Sequence, residues 1–252
     1  MAKHIFILIL SFQFLTETKA QLINIESWRS TMRDTLQGQV AFALQLTQNT
    51  KSIHQITNSI GIHRNQKAHT FLFLNNILFV QVNNEKLVNS GYQHFRYNYT
   101  FRDTGRFTLE GFVQHQYNSV RFLKTRFLLG FGPRLKIIDK PNFYMFFASP
   151  LMYEYEELTN NLEQKSNLLK GDIYISTGAD INSQISFWLV TYYQPDVLNF
   201  ADFRLSTDSG VKFVIYKRLS ISFVYSVSYD SQPPSTIPKT FYTFNNVVSY
   251  SF

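Results

Sequence analysis

Apolar and polar residues alternate along much of the chain. From Arg218 to Tyr229 one parity holds Leu219, Ile221, Phe223, Tyr225, Val227 and Tyr229, and the other holds Arg218, Ser220, Ser222, Val224, Ser226 and Ser228. Residues 106–118 repeat the scheme, with Phe107, Leu109, Gly111, Val113, His115 and Tyr117 against Thr108, Glu110, Phe112, Gln114, Gln116 and Asn118. Residues 125–136 do so again, Phe127, Leu129, Phe131 and Leu135 alternating with Arg126, Leu128, Gly130, Gly132, Arg134 and Lys136. A period of two is the signature of a strand with two unlike faces. These runs are about 10–14 residues long. Strands of globular domains are usually about 5–6, whereas a tilted strand crossing a bilayer needs about 9–11. Sustained spacing of three and four, which a helix would show, is scarce.

The breaks predict strands near 38–48, 51–64, 68–82, 87–101, 106–119, 123–138, 142–157, 167–180, 184–194, 202–215, 218–230 and 240–252. The fold class is therefore all-β: an antiparallel up-and-down transmembrane β-barrel of about twelve strands, with ten or fourteen as alternatives. Junctions such as Arg102-Asp103-Thr104-Gly105 and Asp139-Lys140-Pro141-Asn142 consist of turn-forming residues. Long connectors at 158–166, 195–201 and 231–239 fall on alternate junctions, so all three share one end. Outer-membrane barrels place long loops outside and short turns in the periplasm. An even strand number returns both termini to the turn end. Residues 38–252 form the barrel domain, and 21–37 are a short periplasmic segment or an extra strand.

The first twenty residues differ. Lys3 and His4 precede an apolar run from Ile5 to Leu15, and Thr18-Lys19-Ala20 puts small residues at −3 and −1. Residues 1–20 read as a cleaved signal peptide. Its removal changes the formal charge from +7 to +6. An exported chain does not meet chromosomal DNA, and no Lys/Arg run exceeds two residues. Nucleic acid is therefore excluded as a partner, and lipid headgroups or lipopolysaccharide are the expected anionic surfaces. Charged residues make up only 16% and aromatics 17%, yet mean hydropathy is −0.15. Transmembrane helices would be more apolar; even Phe71 to Val80 is broken by Asn75 and Asn76. The absence of cysteine removes disulfides, thiolate metal sites and cysteine nucleophiles.

The C-terminus ends Phe244-Asn245-Asn246-Val247-Val248-Ser249-Tyr250-Ser251-Phe252. Val248, Tyr250 and Phe252 share a face, and a last strand with a terminal aromatic resembles the signal read by the outer-membrane assembly machinery. Phe95-Arg96-Tyr97-Asn98-Tyr99, Leu109 to Asn118, Lys124 to Arg134, and Tyr153-Glu154-Tyr155-Glu156-Glu157-Leu158 are together similar to the motifs of the salt-induced outer-membrane protein family. The likeness extends over roughly 38–252 and is strongest to Bacteroidetes-type members. It implies a barrel in the bacterial outer membrane, and no established reaction.

If the aromatic parity faces lipid, Arg96, Glu110, Gln114, Arg126, Arg134 and Glu154 face the lumen. An Arg or Lys on the lipid face near the midplane costs about 2–4 kcal/mol, which favours this assignment. Arg96, Glu110 and Arg126 lie on three consecutive strands, so Glu110 is expected between two arginines in an interior plug. The competing reading is a charged constriction that selects solutes. Tyr92, Tyr117, Tyr153, Tyr192, Tyr193 and Tyr229 read as interfacial girdles. Gly130 and Gly132 on the luminal parity allow a bend or room for a large neighbour.

Enzymatic readings are weaker. His94 and Asn98 share the luminal parity, but G-x-S-x-G and H-E-x-x-H are absent, so a lipase- or protease-like hydrolase is the alternative and not the main expectation. Glu154, Glu156, Glu157 and Asp172 are oxygen donors of the type Ca²⁺ prefers, and a solvated acidic rim competes with that reading. No metal and no cofactor are expected. The primary expectation is a monomeric barrel with a structural or narrow-pore role in envelope homeostasis. A secreted lipocalin-like binding barrel is the third reading.

Overall fold

The computed structural model describes residues 36–48, 52–83, 85–101, 105–159, 165–217, 219–233 and 237–250. The signal peptide at 1–20, most of the 21–37 segment and Phe252 lie outside the described residues. The chain runs β1 (Leu36–Gln48), β2 (Ser52–Gln66), β3 (His69–Val82), β4 (Glu85–Thr100), β5 (Phe107–Asn118), β6 (Leu123–Lys140), β7 (Phe143–Ala148), β8 (Leu151–Leu158), β9 (Lys165–Gly171), β10 (Ile173–Asp180), β11 (Ile185–Pro195), β12 (Phe203–Tyr216), β13 (Leu219–Asp230) and β14 (Thr240–Tyr250). A 3-10 turn, Ser119–Arg121, joins β5 to β6. Every pairing is antiparallel within one sheet of fourteen strands.

Two expected strands are each broken in half, which accounts for fourteen rather than about twelve. β7 and β8 both lie on β6, pairing with 134–140 and 123–131 respectively. β9 and β10 continue one another in the same way, on β8 and β7. The breaks fall at Ser149-Pro150 and Asp172. Proline has no N–H for the ladder, and the Pro150 carbonyl is taken by the Asp172 amide at 2.8 Å. β1 begins at Leu36, so residues 36 and 37 belong to the sheet.

At strand centres from β3 to β13 the inward positions are even-numbered. Leu72, His94, Glu110, Leu128, Met152, Tyr174, Val190, Asp208 and Ser226 are buried, while Phe73, Phe95, Val113, Leu129, Tyr153, Ile175, Leu205 and Tyr225 stand out on the other face. This exposes an apolar belt and hides polar groups, the reverse of a soluble sandwich and the pattern of a barrel in lipid. The sheet curls until β5 and the β5–β6 turn touch β10, β13 and β14. The connectors 196–202 and 231–239 share one end with the β5–β6 turn and the β8–β9 junction; that end is called the loop end below. β1 starts and β14 finishes at the opposite, turn end.

One polar row interrupts the outer belt. Asn75 Nδ2 donates to Asn58 Oδ1 at 2.8 Å, and Gln93 Nε2 donates to Asn75 Oδ1 at 3.0 Å. His115 Nδ1 lies 2.9 Å from Gln93 Oε1, and its Nε2 lies 3.1 Å from Thr125 Oγ1. Five adjacent strands, β2 to β6, are thus stitched across their outward face, with Ile56, Ile60, Phe73 and Ile77 bracketing the two asparagines along their own strands.

Candidate functional site: a charged lumen and its vestibule

Luminal charges form two clusters at different depths. Toward the turn end, Glu110 on β5 is fully buried. Arg96 Nη1 on β4 lies 3.2 Å from its Oε2, and Arg134 Nη1 on β6 approaches to 3.9 Å. Tyr174, from the facing wall, donates its hydroxyl to the same carboxylate at 2.8 and 2.7 Å. Aromatic rings complete the layer: the Arg96 guanidinium is 5.1 Å from the Phe112 centroid, and that of Arg134 is 4.3 Å from Phe146. Burying a guanidinium without pairing and packing of this kind costs stability.

Near the loop end, Glu154 and Glu156 on β8 are shared by Arg126 on β6 and Arg204 on β12. Arg204 Nη1 reaches Glu154 Oε2 at 2.6 Å, and its Nη2 reaches Glu156 Oε2 at 3.1 Å. Arg126 Nε donates to Glu156 at 2.7 Å and lies 3.4 Å from Glu154. Lys170 Nζ lies 3.2 Å from Glu154 Oε1, and Arg204 Nε donates to Asp230 at 2.8 Å. Three cations and three carboxylates form a neutral hexad that bridges the two walls.

Above the hexad a cavity of about 360 Å³ opens among the β5–β6 turn, β12, β13 and β14. Arg121 enters it from the 3-10 turn. Asn118 Oδ1 caps that turn by accepting from the Arg121 amide at 3.2 Å, and Phe122 ends it in a left-handed conformation with φ 56. The Arg121 guanidinium lies over the Phe241 ring at 4.3 Å. Burial, with Arg126 and Arg204 adding repulsion, brings it down to about 10. In the connector before β12, burial pushes the Asp202 carboxyl above its ordinary range.

A family profile described as "Protein of unknown function, DUF481" matches residues 40–252. The chain belongs to the DUF481 family. No curated protein matches it. Among solved structures, the NanC porin in its rhombohedral crystal form superposes with a TM-score of 0.52 at 9% identity, covering 86% of this chain and 98% of that one. The translocator domain of the autotransporter NalP from Neisseria meningitidis superposes with a TM-score of 0.52 at 12% identity, covering 86% and 87%. These likenesses concern the fold: this DUF481 chain has the architecture of outer-membrane β-barrels.

Within the DUF481 barrel, Arg96, Glu110, Gln114, Arg126, Arg134 and Glu154 all face inward. The expected partnership of Glu110 with Arg126 does not form. Arg126 stands opposite Gln116, whereas Glu110 stands opposite Gly132. Six positions along a strand separate them by about 20 Å, so Arg134 and Tyr174 take the expected place of Arg126. Tyr174, Lys170 and Arg204 stand in no motif that marks them in the sequence. Their even numbers within alternating strands were the available signal, but pairing across a barrel depends on closure, which periodicity does not report.

The acidic rim is resolved differently too. Glu154 and Glu156 are ion-paired inside, Glu157 turns outward to Lys124 at 2.8 Å, and Asp172 accepts from Gln194 at 2.7 Å. The described residues hold no group of three or more His, Asp or Glu arranged for a metal. Tyr92 and Tyr192 leave the girdle: Tyr192 is buried beside Tyr174 with ring centroids 5.0 Å apart, and Tyr92 packs against Leu72 and Leu74. Tyr153 does face outward. His94 is buried, 2.9 Å from Gln114, and stacks on Phe112 with no serine or carboxylate bonded to it among the described residues. Val248 faces outward on β14, and Tyr250 is its last residue. Gly130 leaves room for the Phe112 ring and Gly132 for Pro150, as luminal glycines should.

Proposed function

We propose that this protein is exported through residues 1–20 and inserted into the bacterial outer membrane. There it acts as a monomeric barrel with a plugged, narrow lumen in envelope homeostasis. The supporting observation is the neutral hexad of Arg126, Arg204, Lys170, Glu154, Glu156 and Asp230, which bridges opposite walls. A wide aqueous pore would hold such groups apart and solvated. Here they neutralise one another at contact distance, so the lumen is braced at two levels and passes at most small solutes. No catalytic step is part of this reading. The partners are outer-membrane lipids and lipopolysaccharide around the apolar belt, and the assembly machinery at β14 through Val248, Tyr250 and Phe252. We assign the chain to the salt-induced, Bacteroidetes-type branch on its Leu109–Asn118 and Lys124–Arg134 motifs, with salt governing its expression rather than its mechanism.

The test combines fractionation, conductance and stability. Native protein is expected in the outer-membrane fraction and not in the medium, with small unitary conductance in planar bilayers. Glu110→Gln is expected to lower stability and raise conductance together. Altered conductance at unchanged stability would make the cluster a selective constriction and overturn the bracing role.

A further inference from the structure

The vestibule above the hexad holds one guanidinium, Arg121, that no carboxylate among the described residues reaches at ion-pair distance; Asp230 and Glu156 attract it only from farther away. Its wall includes five cations, Arg121, Arg126, Lys165, Lys170 and Arg204, against Glu154, Glu156, Asp202 and Asp230. Arg126, Lys170 and Arg204 are consumed within the hexad, and Lys165 lies 4.0 Å from Glu157. Arg121 has no carboxylate within ion-pair distance among the described residues. Its Nη2 reaches only the Ser228 hydroxyl at 3.5 Å, and its buried Nε has no acceptor there.

A guanidinium so placed costs the fold stability, because a partly desolvated charge without a partner is unfavourable. Yet the turn is built to present it, with the Asn118 cap before it, the left-handed Phe122 after it and the Phe241 ring beneath. Its planar fork matches a carboxylate. The Phe241 and Ile237 side of the cavity suits an apolar body, and about 360 Å³ is at the small end of ligand pockets, roughly 300–1,000 Å³. The lining as a whole carries five cations and four carboxylates, so one negative charge neutralises it and a second has no counterpart.

We propose that the vestibule binds a small organic monoanion, its carboxylate on Arg121 and its apolar body against Phe241. The proposal rests on the barrel reading and shares the hexad with it as the cavity floor, but uses no residue of the Glu110 cluster. The Glu110→Gln conductance test and the Arg121→Gln binding test therefore fail independently.

The probe is benzoate, titrated calorimetrically into the refolded full-length barrel in detergent at low ionic strength near neutral pH. Phenylphosphate, benzyl alcohol and benzylammonium are the comparison arms. Saturable benzoate binding is expected, with all three comparison compounds weaker. Arg121→Gln is expected to weaken benzoate by about tenfold or more, with Arg121→Lys in between. Salt should weaken binding to the native protein. A folded Arg121→Gln protein that binds benzoate as tightly as native overturns the proposal. So does native protein that shows no saturable binding, or that prefers phenylphosphate. If Arg121→Gln does not refold, Phe241→Ala and Asn118→Ala serve instead: weaker binding supports the site, and unchanged binding by both overturns it.

Discussion

Tyr174 on β10 and Glu110 on β5 meet across the interior, the phenol donating to both carboxylate oxygens at 2.8 and 2.7 Å. The two residues are 64 positions apart, and the contact exists only when the sheet has curled. Glu110→Gln leaves Arg96 and Arg134 without their carboxylate, and breaking one partner of a buried ion set typically costs about 3–5 kcal/mol. Tyr174→Phe removes one donor and is expected to cost less, about 1–3 kcal/mol. Denaturant unfolding of the refolded barrel in detergent, followed by the heat-modifiable gel shift, orders the two variants.

Arg204 and Glu154 bridge β12 to β8 at 2.6 Å. Each single replacement, Arg204→Gln or Glu154→Gln, strands the other members of the hexad. The double variant strands fewer, so its loss is expected to fall short of the sum by about 0.5–3 kcal/mol. A double-mutant cycle in denaturant measures that coupling. Additive losses would mean that the two side chains do not act on one another.

Gly132 lies against the Pro150 backbone, which cannot swing aside as a side-chain tip would. Gly132→Ala is expected to lose about 1–3 kcal/mol by overpacking. Gly111 has only Phe131 Cδ2 at 3.6 Å and the Gly130 carbonyl at 3.8 Å near a built Cβ, which is ordinary contact. Gly111→Ala is therefore the tolerated control, and the difference between the two midpoints is the readout.

Arg121 acts in the opposite sense. Burial, with repulsion from Arg126 and Arg204, holds its guanidinium below the ordinary range in the folded protein, at about 10. A base depressed on folding is a destabilising charge, fully so at pH values below the folded value. The penalty fades as pH rises above about 10. Arg121→Gln is expected to raise stability by about 0.5–2 kcal/mol near neutral pH, as removal of a functional liability does. That advantage should narrow once the pH exceeds about 10. Denaturant midpoints at neutral and alkaline pH check both sign and window.

Alternation made the wall of the barrel legible, down to which of Arg96, Glu110, Arg126, Arg134 and Glu154 turn inward. It could not assign partners. Glu110 was expected beside Arg126 because their strands are neighbours, but register set them at different depths and gave Glu110 to Arg134 and Tyr174. Tyr192 reads as a girdle residue from its place near a strand end, but it shares the inward parity of its strand and is buried. The breaks at Pro150 and Asp172 were hidden for a related reason. Each leaves the pleat in phase, so the pattern continues across a gap in the ladder.

The polar row from Asn58 to Thr125 also bears on how the barrel is made. Amides that face hydrocarbon are tolerable only with partners, and here every partner is on the neighbouring strand. A slip of one residue at any of the four seams carries one partner to the opposite face and breaks a hydrogen bond of the row. The row thus fixes the register of β2 to β6 from the outer face, independently of the charged contacts inside.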